Sequence, residues 1–195
     1  MTLSSVSIVS GRRSFLATTT LSAAAVALLA GRDVLAASHT GAKMDAGADV
    51  NILNVALGLE HEGIAAYQLG AQSGLLQKPV LDVATRFQAD HKEHRDTLAG
   101  AIRKLGGKPV EEKPLADYAK ALKADTLKSQ NDILELASRL ELGATNAYLG
   151  VIPSFKDAQL AKVAARLAAD ETMHWTLLNQ TLGKPLPAGG MPFGA

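Results

Sequence analysis

The sequence predicts an all-α fold: a four-helix bundle made of two pseudo-symmetric helical hairpins joined by a long crossover. Three observations predict it. Hydrophobic residues make up 47% of the 195 residues but aromatics only 4%, and Ala and Leu dominate, which favours closely packed helices over a sheet rich in Val, Ile, Tyr and Phe. Apolar residues recur at helical spacing in four long segments. The second half of the chain repeats the first: Leu59-Glu60 followed by Ala66-Tyr67 matches Leu140-Glu141 followed by Ala147-Tyr148, and Ala89-Asp90-His91 with His94 and Leu98 matches Ala169-Asp170-Glu171 with His174 and Leu178.

The elements follow in order. Residues 1–36 read as a twin-arginine export signal: Gly11-Arg12-Arg13-Ser14-Phe15-Leu16, an apolar stretch from Ala17 to Ala30, and a small-residue cleavage site at Val34-Leu35-Ala36. The apolar stretch is shorter than the roughly 20 residues a spanning helix needs, so no stable membrane anchor is expected after cleavage. The destination is then the periplasm or the outside of the cell. Residues 37–49 lack hydrophobic periodicity and read as a flexible lead-in that includes His39.

The bundle is expected over residues 50–183. The first helix runs from about Asp49 to Gly74, with Leu53, Ala56, Leu57, Glu60, Ile64 and Tyr67 on one face. The second runs from about Pro79 to Leu105, with Phe87, His91, His94, Leu98 and Ile102 on its seam; Pro79 suits a first turn and Gly106-Gly107 a stop. A connection over 107–126, with a short helical piece near Ala116 to Leu122, has the length of a crossover. The third helix is expected from about Thr126 to Leu149, with Leu134, Ala137, Glu141, Ala144 and Tyr148 on one face. The fourth runs from about Asp157 to Leu182, with Leu160, Ala164, Leu167, Glu171, His174 and Leu178 inward. Residues 184–195, rich in Pro and Gly, read as an irregular tail.

Charge and composition exclude several functions. The formal charge is +1, and no basic stripe with interleaved aromatics occurs, so nucleic acid is not an expected partner. Without residues 1–36 the chain keeps 17 basic and 18 acidic residues. There is no Cys, which excludes disulfides, thiolate metal sites and a Cys nucleophile. A metal site in this chain must use carboxylates and imidazoles.

Glu60, His91, His94, Glu141, Glu171 and His174 all fall on inward faces. Burying an ionised carboxylate without a partner costs several kcal/mol. Three carboxylates and three imidazoles in an apolar seam therefore need compensation, and divalent metal ions give it directly. Glu171 and His174, at i and i+3, share a helix face and can reach one ion; His91 and His94 have the same spacing. The alternative is a polar network in which Glu, His and tyrosine hydroxyls satisfy one another.

With these residues the chain resembles the ferritin-like family of di-metal carboxylate proteins, in its exported bacterial branch, over roughly residues 50–183. The resemblance implies Glu60 and Glu141 as bridging ligands from the first and third helices, Glu171 and His174 as the fourth-helix pair, and His94 as the second-helix histidine. It implies two divalent ions, iron first, with manganese or zinc as alternatives. Tyr67 and Tyr148, seven residues after each bridging Glu, fit positions just outside the ligands, as packing and hydrogen-bonding groups. His91 departs from the family pattern, which has Glu there. Three carboxylates leave two divalent ions with a formal excess of one positive charge, and the extra imidazole suits Zn, Cu, Fe or Ni. Asp90, Glu93 and Glu62 are second choices; His61 faces away, as a surface group or one just outside the ligands, and Trp175 lies off the seam. The resemblance implies an oxidoreductase of ferroxidase type, with dioxygen or peroxide as co-reactant, acting in iron handling or against oxidative stress. A non-catalytic Zn or Cu binder and a structural module with a degenerate site are the alternatives. A monomer or homodimer is expected.

Overall fold

The computed structural model describes residues 41–194, with side chains from residue 47 onward. The segment expected to be an export signal, residues 1–36, lies outside the described residues, as does the start of the expected lead-in with His39. Four long helices form the body: α1 (Gly41–Gln72), α2 (Lys78–Lys104), α4 (Gln130–Val151) and α5 (Ala158–Thr181). The short α3 (Leu115–Ala121) lies in the crossover. No strand occurs among the described residues.

Each hairpin pairs neighbours in sequence, α1 with α2 and α4 with α5, and the hairpins meet chiefly along α1 and α4. No helix among the described residues is long and apolar enough to cross a membrane.

Local sequence explains the helix ends. Pro79 sits in the first turn of α2, where its missing N–H costs nothing, and Arg103 and Lys104 lie in the last turn, against the negative end of the helix dipole. The repeated Leu-Gly endings form the same cap twice. Gly106 has φ +80 and Gly183 has φ +71, the left-handed region that glycine adopts without strain. The following N–H groups reach back to close the helices, Gly107 to the Ile102 carbonyl and Lys184 to that of Asn179, both at 2.9 Å.

Two boundaries differ from the sequence expectation. α1 starts at Gly41 rather than Asp49, so the segment read as a lead-in enters the helix. Ala, Lys and Met are good helix formers there, and no proline interrupts 41–72. α4 starts at Gln130 rather than Thr126. Ser129 is its N-cap, accepting a hydrogen bond from the Asp132 N–H, and a 3₁₀ turn over Ala124–Thr126 precedes it.

The core has two main apolar blocks. One holds Leu53, Leu57, Leu98, Ile102, Tyr148, Leu160 and Leu167; the other holds Tyr67, Ala84, Phe87, Leu134, Ala137 and Leu178. Along every long helix the polar residues stand between members of these two blocks. The bundle thus has a charged layer at mid-height, closed above and below by hydrocarbon. α3 adds a smaller cluster, in which Tyr118 and Leu122 pack with Ala65, Ala66 and Leu136.

Residues 182–194 form no helix or strand but fold back on the bundle. The Phe193 ring meets Trp175 edge-on at 5.2 Å, and the Gly194 N–H donates to Asn146 Oδ1. Trp175 is half-buried against the chain's own tail.

A candidate metal centre at mid-bundle

The structure brings together all six residues expected from the sequence. Glu60, His91, His94, Glu141, Glu171 and His174 are all buried, the last two fully. They form two groups of four, each able to converge on one ion: Glu60, His91, His94 and Glu171, and His91, Glu141, Glu171 and His174. The shared members are His91 and Glu171. These stand 80 positions apart and are each other's counterpart in the repeat. Glu60 and Glu141, which the resemblance casts as bridges, each belong to one group only.

In the first group His91 Nδ1 lies 2.8 Å from Glu60 Oε2 and 3.7 Å from Glu171 Oε1, while His94 Nδ1 lies 3.6 and 3.1 Å from the same two oxygens. In the second, Glu141 Oε1 lies 3.2 Å from His91 Nε2 and 3.5 Å from His174 Nδ1, and Glu171 Oε2 lies 3.6 Å from His174 Nδ1. Four ligands about 2.1 Å from a tetrahedral ion would stand roughly 3.4 Å apart. The observed separations straddle that value in both groups, so the residues fit an ion in each.

Groups just outside the ligands are crossed between the hairpins. The Tyr67 hydroxyl donates to Glu141 Oε1, and that of Tyr148 donates to Glu60 Oε1. His94 Nε2 donates to Asp170 Oδ2 at 3.3 Å, while His174 Nε2 lies 3.4 Å from Asp90 Oδ2, an ion-pair separation without hydrogen-bond alignment. Both histidines thus turn Nδ1 to the cluster and Nε2 to an aspartate of the other hairpin. Such outer partners fix ring orientation and tautomer. Arg86 holds Asp90 through Nη2 at 2.8 Å. Phe87 stacks on the His174 ring at 3.9 Å.

From the sequence Asp90 is only a second-choice ligand, and Asp170 has no expected role. The signal was present: both aspartates are repeated at the same offset as the histidines.

Electrostatics tie the six groups together. Burial works to lower the His91 pKa, but the Glu171 and Glu141 carboxylates outweigh it and hold the ring well above its usual value. The same opposition, with Glu171 and Glu60 as partners, raises His94 to about 10; Glu141 and Glu171 raise His174 to about 9. Against burial, His91 and His94 hold Glu60 down at about 2. Burial pushes Glu171 up to about 7, the His91 charge opposing and the Glu141 charge reinforcing it. Burial and the adjacent carboxylates push both tyrosines well above 10, so they are neutral donors.

Even so, Glu141 Oε2, Glu171 Oε2 and both His174 nitrogens are buried without a hydrogen-bond partner. Buried polar atoms are normally paired. Four orphans in one cluster are what a metal-ligating donor set leaves when only protein atoms are counted.

Other residues weighed from the sequence fall elsewhere. His61 is buried, not on the surface: its ring pairs with the Val110 carbonyl at 3.2 Å and pins the crossover to α1. Glu62 is buried but belongs to neither group of four; with Gly63, Tyr67, His91 and Glu141 it lines a cavity of about 20 Å³, space for a single water. Glu93 is exposed, in a cleft of about 230 Å³ that reaches His94 between Asp90 and Asp170.

Sequence reasoning also missed Gly63. A Cβ there would lie 3.2 Å from both Cε1 and Nδ1 of His91 and 3.4 Å from Nε2. Near-equal distances to three consecutive ring atoms mean that the ring lies flat against α1, in a space only glycine leaves.

Comparison with known proteins agrees with this architecture. The ferritin-like domain family matches residues 48–184. A solved structure, that of a conserved hypothetical protein, rv2844, from Mycobacterium tuberculosis, superposes with a TM-score of 0.60 at 23% identity, covering 76% of this chain and 99% of that one. At that identity the likeness is one of fold. No curated protein matches. With the family spanning the whole bundle and the charged layer inside it, the chain belongs to the ferritin-like domain family.

Proposed function

We propose that this protein is an exported, dinuclear metal-binding protein that oxidises ferrous iron, with dioxygen or peroxide as the electron acceptor. The observation that carries the reading is the pair of four-residue groups meeting at His91 and Glu171 in a layer with hydrocarbon above and below. A bound pair of redox-active ions supplies one-electron steps and open positions for the oxidant. The chain's own residues do the rest. Glu60, His94, Glu141 and His174 hold the ions from four different helices. Tyr148 engages Glu60 Oε1 and leaves Oε2 to face the histidines, while Tyr67 donates to Glu141 Oε1, the same oxygen that faces His91 and His174. The apolar blocks above and below keep water out on those two sides, which strengthens the interactions within the layer.

Export rests on Gly11 to Leu16 and places the protein in the periplasm or outside the cell. The test is metal content and Fe(II) oxidation by protein purified from the exported fraction. Close to two iron or manganese per chain, with oxidation lost in a folded Glu141→Ala protein, supports the reading. A Glu141→Ala protein as active as wild type rejects it.

One observation favours a second reading, a non-catalytic zinc or copper binder. The cluster has as many imidazoles as carboxylates, because His91 stands where the family has Glu, and imidazole suits those metals. Zinc or copper in the purified protein, without Fe(II) oxidation, decides for it.

A further inference from the structure

We infer that His91 bridges the two metal ions through its two ring nitrogens, making the centre an imidazolate-bridged pair rather than one bridged by Glu60 and Glu141. This rests on the dinuclear reading above and specifies how the pair is joined.

Three features carry it. The ring nitrogens face different groups: Nδ1 is 2.8 Å from Glu60 Oε2, and Nε2 is 3.2 Å from Glu141 Oε1. Glu171 is divided in the same way, Oε1 beside His94 at 3.1 Å and Oε2 beside His174 at 3.6 Å. The two shared residues therefore each offer one atom to either side, while Glu60 with His94, and Glu141 with His174, belong to one side only.

The second feature is the slot at Gly63. The His91 ring lies flat against α1, which fixes the plane containing both nitrogen lone pairs. Any side chain at position 63 would displace it.

The third is charge. Glu60, Glu141 and Glu171 supply three negative charges against the four positive charges of two divalent ions. An imidazole bound through both nitrogens has lost its ring proton to solvent and supplies the fourth. His91 thus replaces the missing carboxylate in charge as well as in position. Ring geometry sets the spacing: with metal–nitrogen bonds of about 2.0–2.1 Å on both sides, the ions stand roughly 6 Å apart, against about 3.5–4 Å for carboxylate-bridged pairs.

The test is a crystal structure of the full chain loaded with zinc, the ions located by anomalous scattering, with X-ray absorption on the same protein in solution. Two ions roughly 6 Å apart, each on one nitrogen of His91, are the expected result; His91→Glu should bring them to about 3.5–4 Å. Two ions at the short spacing in the wild type would overturn the bridge while leaving the dinuclear reading intact, and a single ion would overturn both while leaving metal binding intact. No ion at all would overturn both the bridge and the dinuclear reading.

Discussion

Tyr148, on α4, donates its hydroxyl hydrogen to Oε1 of Glu60, on α1, in a fully buried contact that joins the two hairpins. Its counterpart, Tyr67 on α1, does the same for Glu141 on α4. Each hairpin thus supplies a donor for the other's carboxylate, and neither carboxylate is fully partnered until the halves dock. A hydrogen bond to a charged group is worth about 1.5–3 kcal/mol, with a further penalty when its partner is left buried and unpaired. Tyr148→Phe should therefore destabilise the metal-free protein by about 2 kcal/mol, which at roughly 2–4 °C per kcal/mol lowers Tm by several degrees. Thermal unfolding followed by circular dichroism measures it, and an unchanged Tm would mean that the contact is energetically empty.

Asp90 and Asp170 act on opposite ions. Asp90 sits against His174 and Asp170 against His94, so each orients a terminal ligand of a different group. Losing such an outer partner typically costs 10–100-fold in metal affinity. Asp170 is half exposed, and its effect should fall at the lower end; Asp90 is well covered and held by Arg86, and should show the larger loss. Zinc titration calorimetry on Asp90→Asn and Asp170→Asn should show one weakened site in each protein and two in the double variant. Equal weakening of both sites by either single change would contradict the crossed arrangement.

Much of this was legible in the sequence because the repeat gave the same information twice. Helical phase put Glu60, Glu141, Glu171 and His174 on inward faces, and duplicated Leu-Gly endings marked the helix stops. What stayed hidden depends on contacts between elements distant in sequence. Phase alone turns Asp90 and Asp170 away from their own helix's seam; they matter because they reach across to the other hairpin. His61 faces away from the metal layer but is covered by the crossover, whose path phase does not fix. Gly63 could not be assigned a role because only the approach of α2 places the His91 ring against it. α4 starts at Gln130 rather than Thr126 because Ser129 caps it there, after a separate 3₁₀ turn over Ala124–Thr126.

Gly63→Ala sets two effects of similar size against each other. Alanine is better than glycine within a helix by about 1 kcal/mol. Its methyl group would press on the His91 ring from 3.2 Å, and overpacking a filled core costs about 1–3 kcal/mol. The ring is held on both sides by Glu60 and Glu141 and has little room to retreat, so we expect net destabilisation of about 1 kcal/mol. The double variant Gly63→Ala, His91→Ala should show the helix gain without the clash. A double-mutant cycle on urea unfolding separates the two terms, and zero coupling between the positions would show that the ring does not rest on Gly63.

Acidity should act in opposite directions on the metal-free and metal-loaded proteins. His94 and His174 have folded pKa values raised to about 10 and about 9. Groups raised in this way contribute stability that is fully present below their unfolded value of about 6.5 and is lost as pH rises through the folded values. Glu171, raised to about 7, follows the same sign at lower pH: its contribution is present below the ordinary carboxylate range and gone above about 7. Glu60, held at about 2, has the opposite sign, but its contribution is lost only in strong acid. The metal-free protein should therefore become steadily less stable from pH 6 to pH 10. Metal binding replaces the protons on these nitrogens and is favoured as pH rises. With a fixed excess of zinc, the gain in Tm on adding metal should grow over the lower part of that range, before the hydroxide of the metal competes. Differential scanning fluorimetry with and without zinc, in steps from pH 6 to pH 8, tests both signs together. A metal-free Tm that rises with pH would show that the imidazoles do not carry their protons in the folded protein, and a zinc-induced gain that shrinks with pH would show that the ion does not displace them.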